Sequence, residues 1–260
     1  MGGSALVTGA ASRIGKAMVL SLAKAGMNVA IHYNESKSDA DLVAREAKEY
    51  GVKAILVQAD LLVEAQIRRV VPTAVEKLQG QLNLLINNAS IFEYDNLMTA
   101  SFDSWHRHIG SNLKAPLFLM QDFSQQAKKA TLDDQNELYP NANIVNIIDQ
   151  RVLKKTPEFF TYSLGKMGLW SVTQTAAQAL APHVRVNGIA PGPTLKGSRQ
   201  TDQHFSAQRK NTILERGVST ADLVAALHFI LATPSLTGQL LCVDGGQHLA
   251  WKTPDILGVE

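Results

Sequence analysis

Short runs rich in Val, Ile and Leu, each too brief for a helix, recur along the chain at "ALVTG", "NVAIHY", "KAILVQAD", "LNLLINNA", "NIVNII", "VRVNGIA" and "LLCVDGG". Between them lie longer stretches with helical periodicity, at 13–25, 39–50, 64–78, 102–128 and 162–180. Continuous apolar runs mark strands buried on both faces, and a 3.6-residue period marks amphipathic helices. Their alternation predicts an α/β fold: a seven-stranded parallel sheet with helices on both faces, because right-handed crossovers place them there. No Pro/Gly/Ser linker interrupts the rhythm, so residues 1–260 are expected to form one doubly wound Rossmann-type domain. Two stretches break the pattern. "KKATLDDQNELYPNAN" is polar and reads as a surface loop before the fifth strand. "PGPTLKGSRQTDQHFSAQRK" directly follows the sixth strand, where long loops cover ligands, and is the expected lid at about 192–212.

Composition narrows the function classes. With 260 residues, 45% hydrophobic and 18% charged, the chain can bury a full core without a staple. The single cysteine, Cys242, cannot form an internal disulfide, and no Cys/His spacing resembles a zinc site, so the expectation is a metal-free protein of a reducing, cytoplasmic compartment. A net charge of +2 without long like-charge blocks argues against nucleic acid as a partner. No apolar stretch approaches a membrane span.

The first strand-to-helix turn carries candidate chemistry. "ALVTGAASRIGKA" puts Thr8 and Gly9 at a strand end, with Ile14 and Gly15 entering the next helix, where a dinucleotide pyrophosphate sits on helix N-terminal amides. Arg13 replaces the central glycine of the usual Gly-x-x-x-Gly-x-Gly pattern and puts a fixed cation at this turn, able to fork onto phosphate oxygens. The second strand ends in His32, Tyr33 and Asn34, without the acid that normally receives the adenosine ribose. Ser36 and Lys37 follow, with Glu35 beside them, and the missing acid favours NADPH over NADH. For His32 and Tyr33 the alternative is plain strand packing, and for Lys37 a solvated charge. Further on, Tyr162 and Lys166 stand four apart on one helix and share a face. A neighbouring ammonium is expected to lower the phenol pKa toward values useful for proton transfer.

Thr8-Gly9-x-x-x-Arg13-x-Gly15, Asp60-Leu61, Asn87-Asn88-Ala89, Asn112, Tyr162-x-x-x-Lys166, Pro191-Gly192 and Asp244-Gly245-Gly246 occur in this order. Together they resemble the short-chain dehydrogenase/reductase family over nearly the whole chain. The resemblance implies that Asp60 contacts adenine, Asn88-Ala89 borders the nicotinamide ribose, Pro191-Gly192 closes over the nicotinamide, and Asn112 holds a water-linked proton path. It also implies a homotetramer.

Thirteen residues before the tyrosine, where most of that family places a serine, stands Asp149. An ionised carboxylate only accepts hydrogen bonds and repels the oxyanion of a reduced ketone. A C=N bond in a ring that offers N–H donors suits it better, and pterins and folates have both features. After "NNAS" come Ile91 and Phe92, whose ring can stack on a planar substrate. Arg13, Ser90, Phe92 and the Asp149/Tyr162/Lys166 trio resemble the pteridine reductases, including the alternative dihydrofolate reductases. That likeness implies that Arg13 and Ser90 contact both cofactor and pterin, that Pro193 lines the pterin site, and that Thr194 contacts the pyrophosphate. The expected function is NADPH-dependent reduction of a pterin or folate with Tyr162 as proton donor. The alternatives are a carbonyl reductase acting on a ketone or sugar, and a non-catalytic NADPH-binding sensor.

Overall fold

A computed structural model describes residues 2–197 and 199–252. The domain expected over 1–260 also includes residues 1, 198 and 253–260, which lie outside the described residues. Seven parallel strands form the sheet: β1 (Ser4–Val7), β2 (Asn28–Tyr33), β3 (Ala54–Gln58), β4 (Leu84–Asn87), β7 (Ala142–Ile147), β8 (Val184–Pro191) and β9 (Leu240–Val243). Their spatial order is β3-β2-β1-β4-β7-β8-β9. A two-stranded antiparallel hairpin, β5 (Thr131–Leu132) and β6 (Leu138–Tyr139), stands apart within the polar stretch expected to be a loop.

Alternating side chains split the core into two layers. Ala5 and Val7 of β1 join Val29 and Ile31 of β2 and Leu84 and Ile86 of β4 on one face. Leu6, Ala30 and Leu85, one residue out of phase, bury into the other. Successive strand residues point to opposite faces, so a strand covered on both sides must be apolar throughout.

Helices α1 (Arg13–Lys24), α2 (Lys37–Lys48) and α8 (Thr220–Ala232) cover the first face. Helices α3 (Glu64–Leu78), α5 (Ala115–Gln126) and α6 (Phe160–Leu180) cover the second. The helix expected over 102–128 is α4 (Phe102–Ile109) followed by α5, with a five-residue π-helical segment, Gly110–Lys114, between them. The stretch expected as a lid contains a short helix, α7 (Asp202–Lys210), capped by the Thr201 hydroxyl. Among the described residues, no helix is long and apolar enough to cross a membrane.

Candidate active site

The chain turns back between β1 and β4, which are neighbours in space, and such a switch point opens a crevice at the strands' carboxyl ends. A cleft of about 1080 Å³ lies there, running from His32 and Asn34 at the end of β2 to Phe205 and Gln247. That is the upper end of ordinary ligand pockets and suits a ligand longer than one ring system.

The turn after β1 is braced from two sides. The Thr8 hydroxyl accepts from the backbone N–H groups of Asn88 (2.9 Å) and Ala89 (3.0 Å), while the Asn88 amide donates to the carbonyls of Thr8 and Gly9. On the other side Gly9 N–H donates to His32 Nδ1 at 3.1 Å, and Ala10 N–H donates to the His32 carbonyl at 2.9 Å. Nδ1 must therefore be unprotonated, which leaves the proton on Nε2 for the Ala59 carbonyl at 3.1 Å. Burial pushes the His32 pKa from 6.5 down to about 4 and keeps the ring neutral.

Both glycines of the turn are sterically required. A Cβ on Gly15 would lie 2.5 Å from the Gly9 carbonyl oxygen, and one on Gly9 would lie 2.8 Å from Ala89 Cα. Arg13 has φ +54°, in the left-handed region that favours glycine. Its guanidinium donates across the cleft to the carbonyls of Leu195 (3.0 Å) and Lys196 (2.9 Å).

At the other end, Tyr162 and Lys166 sit in the first two turns of α6, and Asp149 follows β7. The Tyr162 hydroxyl donates to Asp149 Oδ2 at 2.9 Å, and Asp149 Oδ1 accepts from Arg151 N–H at 2.8 Å. Burial raises the Asp149 carboxyl above its ordinary range, against the pull of Arg151, Tyr162 and Lys166. Tyr162 was expected to be lowered by Lys166. Instead, burial and then the charge and hydrogen bond of Asp149 raise the phenol well above its ordinary value, keeping it protonated. The Lys166 ammonium stands 5.8 Å from the Tyr162 ring centre and donates to the Ile147 carbonyl at 2.7 Å; burial pushes its pKa down to about 8.

The loop after β4 closes the site. Asn112, fully buried in the π-helical segment, clamps Ile91 by donating to its carbonyl (2.9 Å) and accepting from its N–H (3.0 Å). This fixes Ser90 and Phe92 over the cleft. Phe92 packs edge-on against Tyr162, with ring centres 4.6 Å apart, and stacks on Phe159 at 4.4 Å.

The cleft is also lined by Gly9, Arg13, Ile14, Gly15, Asp60, Leu61, Asn88, Ala89, Ser90, Phe92, Asp149, Tyr162, Lys166, Pro191, Gly192, Pro193 and Thr194. Three anticipated residues do not line it. Tyr33 packs into the core beneath α2, Ser36 precedes α2 at its N-cap, and Asn112 acts on the wall from behind. Lys37 pairs with Asp41 at 2.8 Å. Gln150, Arg151, Phe159 and Arg199 line the cleft without a motif to announce them. The fold also gathers Cys242, Asp244 and His248, with donor atoms within 4.8 Å of one another. There the Asp244 oxygens already accept from Gly246, His248 N–H and His248 Nδ1, and burial pushes the thiol up to about 12.

Residues 4–206 match the family described as short chain dehydrogenase. The chain belongs to that family. Two solved structures resemble this short-chain dehydrogenase over almost its whole length. FolM alternative dihydrofolate reductase 1 from Brucella canis, complexed with NADP, is 41% identical with a TM-score of 0.87, covering 98% of this chain and 97% of that one. The FolM alternative dihydrofolate reductase 1 of Brucella suis, also in complex with NADP, is 42% identical with a TM-score of 0.89, covering 97% and 98%. A curated relative, the 3-oxoacyl-acyl-carrier-protein reductase FabG of Staphylococcus epidermidis, is 28% identical over 254 residues, 96% of this chain and 100% of that one. This short-chain dehydrogenase is thus an oxidoreductase related to the FolM dihydrofolate reductases.

Proposed function

We propose that this oxidoreductase uses NADPH to reduce a dihydropterin, of the dihydrobiopterin, dihydromonapterin or dihydrofolate type, to its tetrahydro form. The observation that carries the reading is the Tyr162–Asp149 hydrogen bond, which puts a carboxyl where a ketone reductase needs a neutral donor. Gln150, the next residue, leaves Oε1 without a hydrogen-bond partner among the described residues. A substrate rich in N–H donors suits such acceptors, and a ring oxyanion does not.

The glycine turn fits a dinucleotide, because the contacts at Gly9 and Gly15 leave no room for a Cβ where a pyrophosphate would approach. Gly9, Arg13, Ile14, Gly15 and Thr194 would hold the phosphates, with His32 and Asn34 toward the ribose and Asp60 and Leu61 toward the adenine. Asn88, Ala89, Ser90, Tyr162, Lys166, Pro191 and Gly192 would hold the nicotinamide end. The bound cofactor supplies the hydride.

The chain's own residues supply the proton and the orientation. Phe92 stacks on the pterin, with Arg13, Ser90 and Pro193 around its rim. Tyr162, kept protonated, donates to the ring nitrogen beside the reduced carbon. Asp149, an acceptor for Tyr162 here, orients the N–H groups of the ring, and the phenolate that results regains its proton from solvent as the product leaves. Lys166 anchors the ribose and offsets the charge on the phenolate. Exposed apolar side chains at Leu97, Met98 and Phe102 support assembly as a homotetramer. The test is side-by-side turnover of dihydrobiopterin, dihydromonapterin and dihydrofolate with NADPH and NADH. The reading expects oxidation of NADPH in preference to NADH with at least one pterin; tight NADPH binding without turnover of any pterin would leave a sensor.

A further inference from the structure

Two guanidinium groups border one aromatic ring at the cleft mouth. Arg151 lies over Phe159 at 4.9 Å from the ring centre, and Arg199 lies 5.5 Å from the same ring and 5.2 Å from Phe92. Arg199 reaches across from the 192–212 stretch and donates to the Phe92 carbonyl at 2.7 Å. Among the described residues, the Arg151 guanidinium donates only to the Thr156 hydroxyl, at 2.9 Å. Among the described residues, neither makes an ion pair. The carboxylates of Glu93 and Asp149, which interact with these guanidiniums through space, are already engaged: both Glu93 oxygens receive Arg107, and Asp149 receives Tyr162 and the Arg151 backbone.

Phe159 itself has φ +56°, a backbone conformation that bulky residues rarely adopt, and the ring it presents also meets Tyr94 edge-on at 5.4 Å. Like charges gathered around an aromatic surface, neither of them in an ion pair, describe a site for an anion.

We propose that Arg151 and Arg199 form an anion-binding rim that takes the carboxylate-bearing tail of the substrate, so that the enzyme favours a pterin with an aromatic, acidic tail over one with a short neutral tail. The proposal rests on the pterin reading of the cleft. A flat ring held at Phe92 beside Tyr162 points its substituent along the Phe92–Phe159 stack. An aromatic spacer packs on Phe159 and Tyr94, and a carboxylate beyond it meets the two guanidiniums, as a fork-shaped cation prefers.

The test compares 7,8-dihydrofolate with 7,8-dihydrobiopterin, with NADPH, in the native enzyme and in the Arg151→Gln/Arg199→Gln double variant. The ratio of their kcat/KM values is expected to fall about tenfold, through KM for dihydrofolate, and the salt dependence of that KM to flatten. Arg199→Lys is expected to retain most of the preference. An unchanged ratio, or equal losses for both substrates, overturns the proposal. If the native enzyme turns over neither substrate, the pterin reading fails, and the rim is judged on NADPH-loaded protein by binding of p-aminobenzoyl-glutamate against its neutral diamide. A preference for the acid that the double variant loses upholds the anion rim, and equal binding overturns it.

Discussion

The Tyr162 hydroxyl gives its proton to a hydrogen bond with Asp149, 2.9 Å away, and both groups are raised in pKa chiefly by burial. Burial and the neighbouring carboxylate thus keep the phenol protonated. Lys166, the cation beside them, is shifted the other way, down to about 8. These three shifts fix which group limits activity as pH changes.

In the direction of reduction, kcat/KM should be limited at high pH by Lys166. Its charge is present below about 8 and is lost as pH rises through that value, whereas Tyr162 remains protonated. A fall approaching tenfold per pH unit above about 8 is expected, and Lys166→Arg should move that limb to higher pH. A profile that is flat to pH 10 would show that the ammonium is not needed.

His32 makes stability sensitive to acid. Its folded pKa of about 4 lies below the unfolded 6.5, so between these values the unfolded chain binds a proton that the folded chain refuses. Stability then falls as pH drops through that window, by about 2 kcal/mol at pH 5 relative to pH 7 from this residue alone. His32→Gln can accept from Gly9 and donate to Ala59 without titrating. Urea unfolding at both pH values should show a smaller loss for the variant than for the native chain.

Asp95 caps the catalytic helix from outside it. Helix α6 has Phe159 at its N-cap, a side chain that cannot cap, and Asp95 supplies the missing acceptors. Its carbonyl receives Phe160 N–H at 3.3 Å and its carboxylate receives Thr161 N–H at 3.1 Å. The same carboxylate accepts a short hydrogen bond from the Thr161 hydroxyl, which also contacts His108 Nδ1 at 2.6 Å. Asp95→Ala strips a buried cap one residue from Tyr162 and should cost on the order of 3 kcal/mol, seen as a lowered Tm in calorimetry. Asp95→Asn should recover part of it. A Tm unchanged by the alanine would remove the cap from the account.

The seven strands were legible because burial on both faces forces apolar residues at every position, as Ala5, Leu6 and Val7 show. Helix α8 was harder to see. Its sequence, TADLVAALHFILA, is apolar almost all round, so only the Ser219/Asp222 capping box marks its start. Helix α7 has no buried residue, so no core-facing apolar stripe marks it in the sequence. The break at Gly110–Lys114 is a hydrogen-bonding change within one continuous apolar pattern, which periodicity cannot register.

Within the site, Tyr162, Lys166 and Asp149 were readable because spacing along the chain becomes proximity on one helix and its neighbouring strand. The Arg151, Phe159 and Arg199 cluster joins separate loops, and only the fold brings it together. The sequence offers His32 as a ligand contact or as strand packing; it lines the cleft and also braces the Gly9 turn, a role set by a backbone N–H in the turn after β1.

The Asp149→Ser variant tests the central claim most directly, through loss of NADPH absorbance with a dihydropterin and, separately, with a simple ketone. Dihydropterin turnover is expected to fall about a hundredfold, while ketone reduction, slow in the native enzyme, rises once a neutral donor faces the developing oxyanion. Dihydropterin turnover unchanged by the serine, or a native enzyme that reduces ketones and no pterin, would contradict the account.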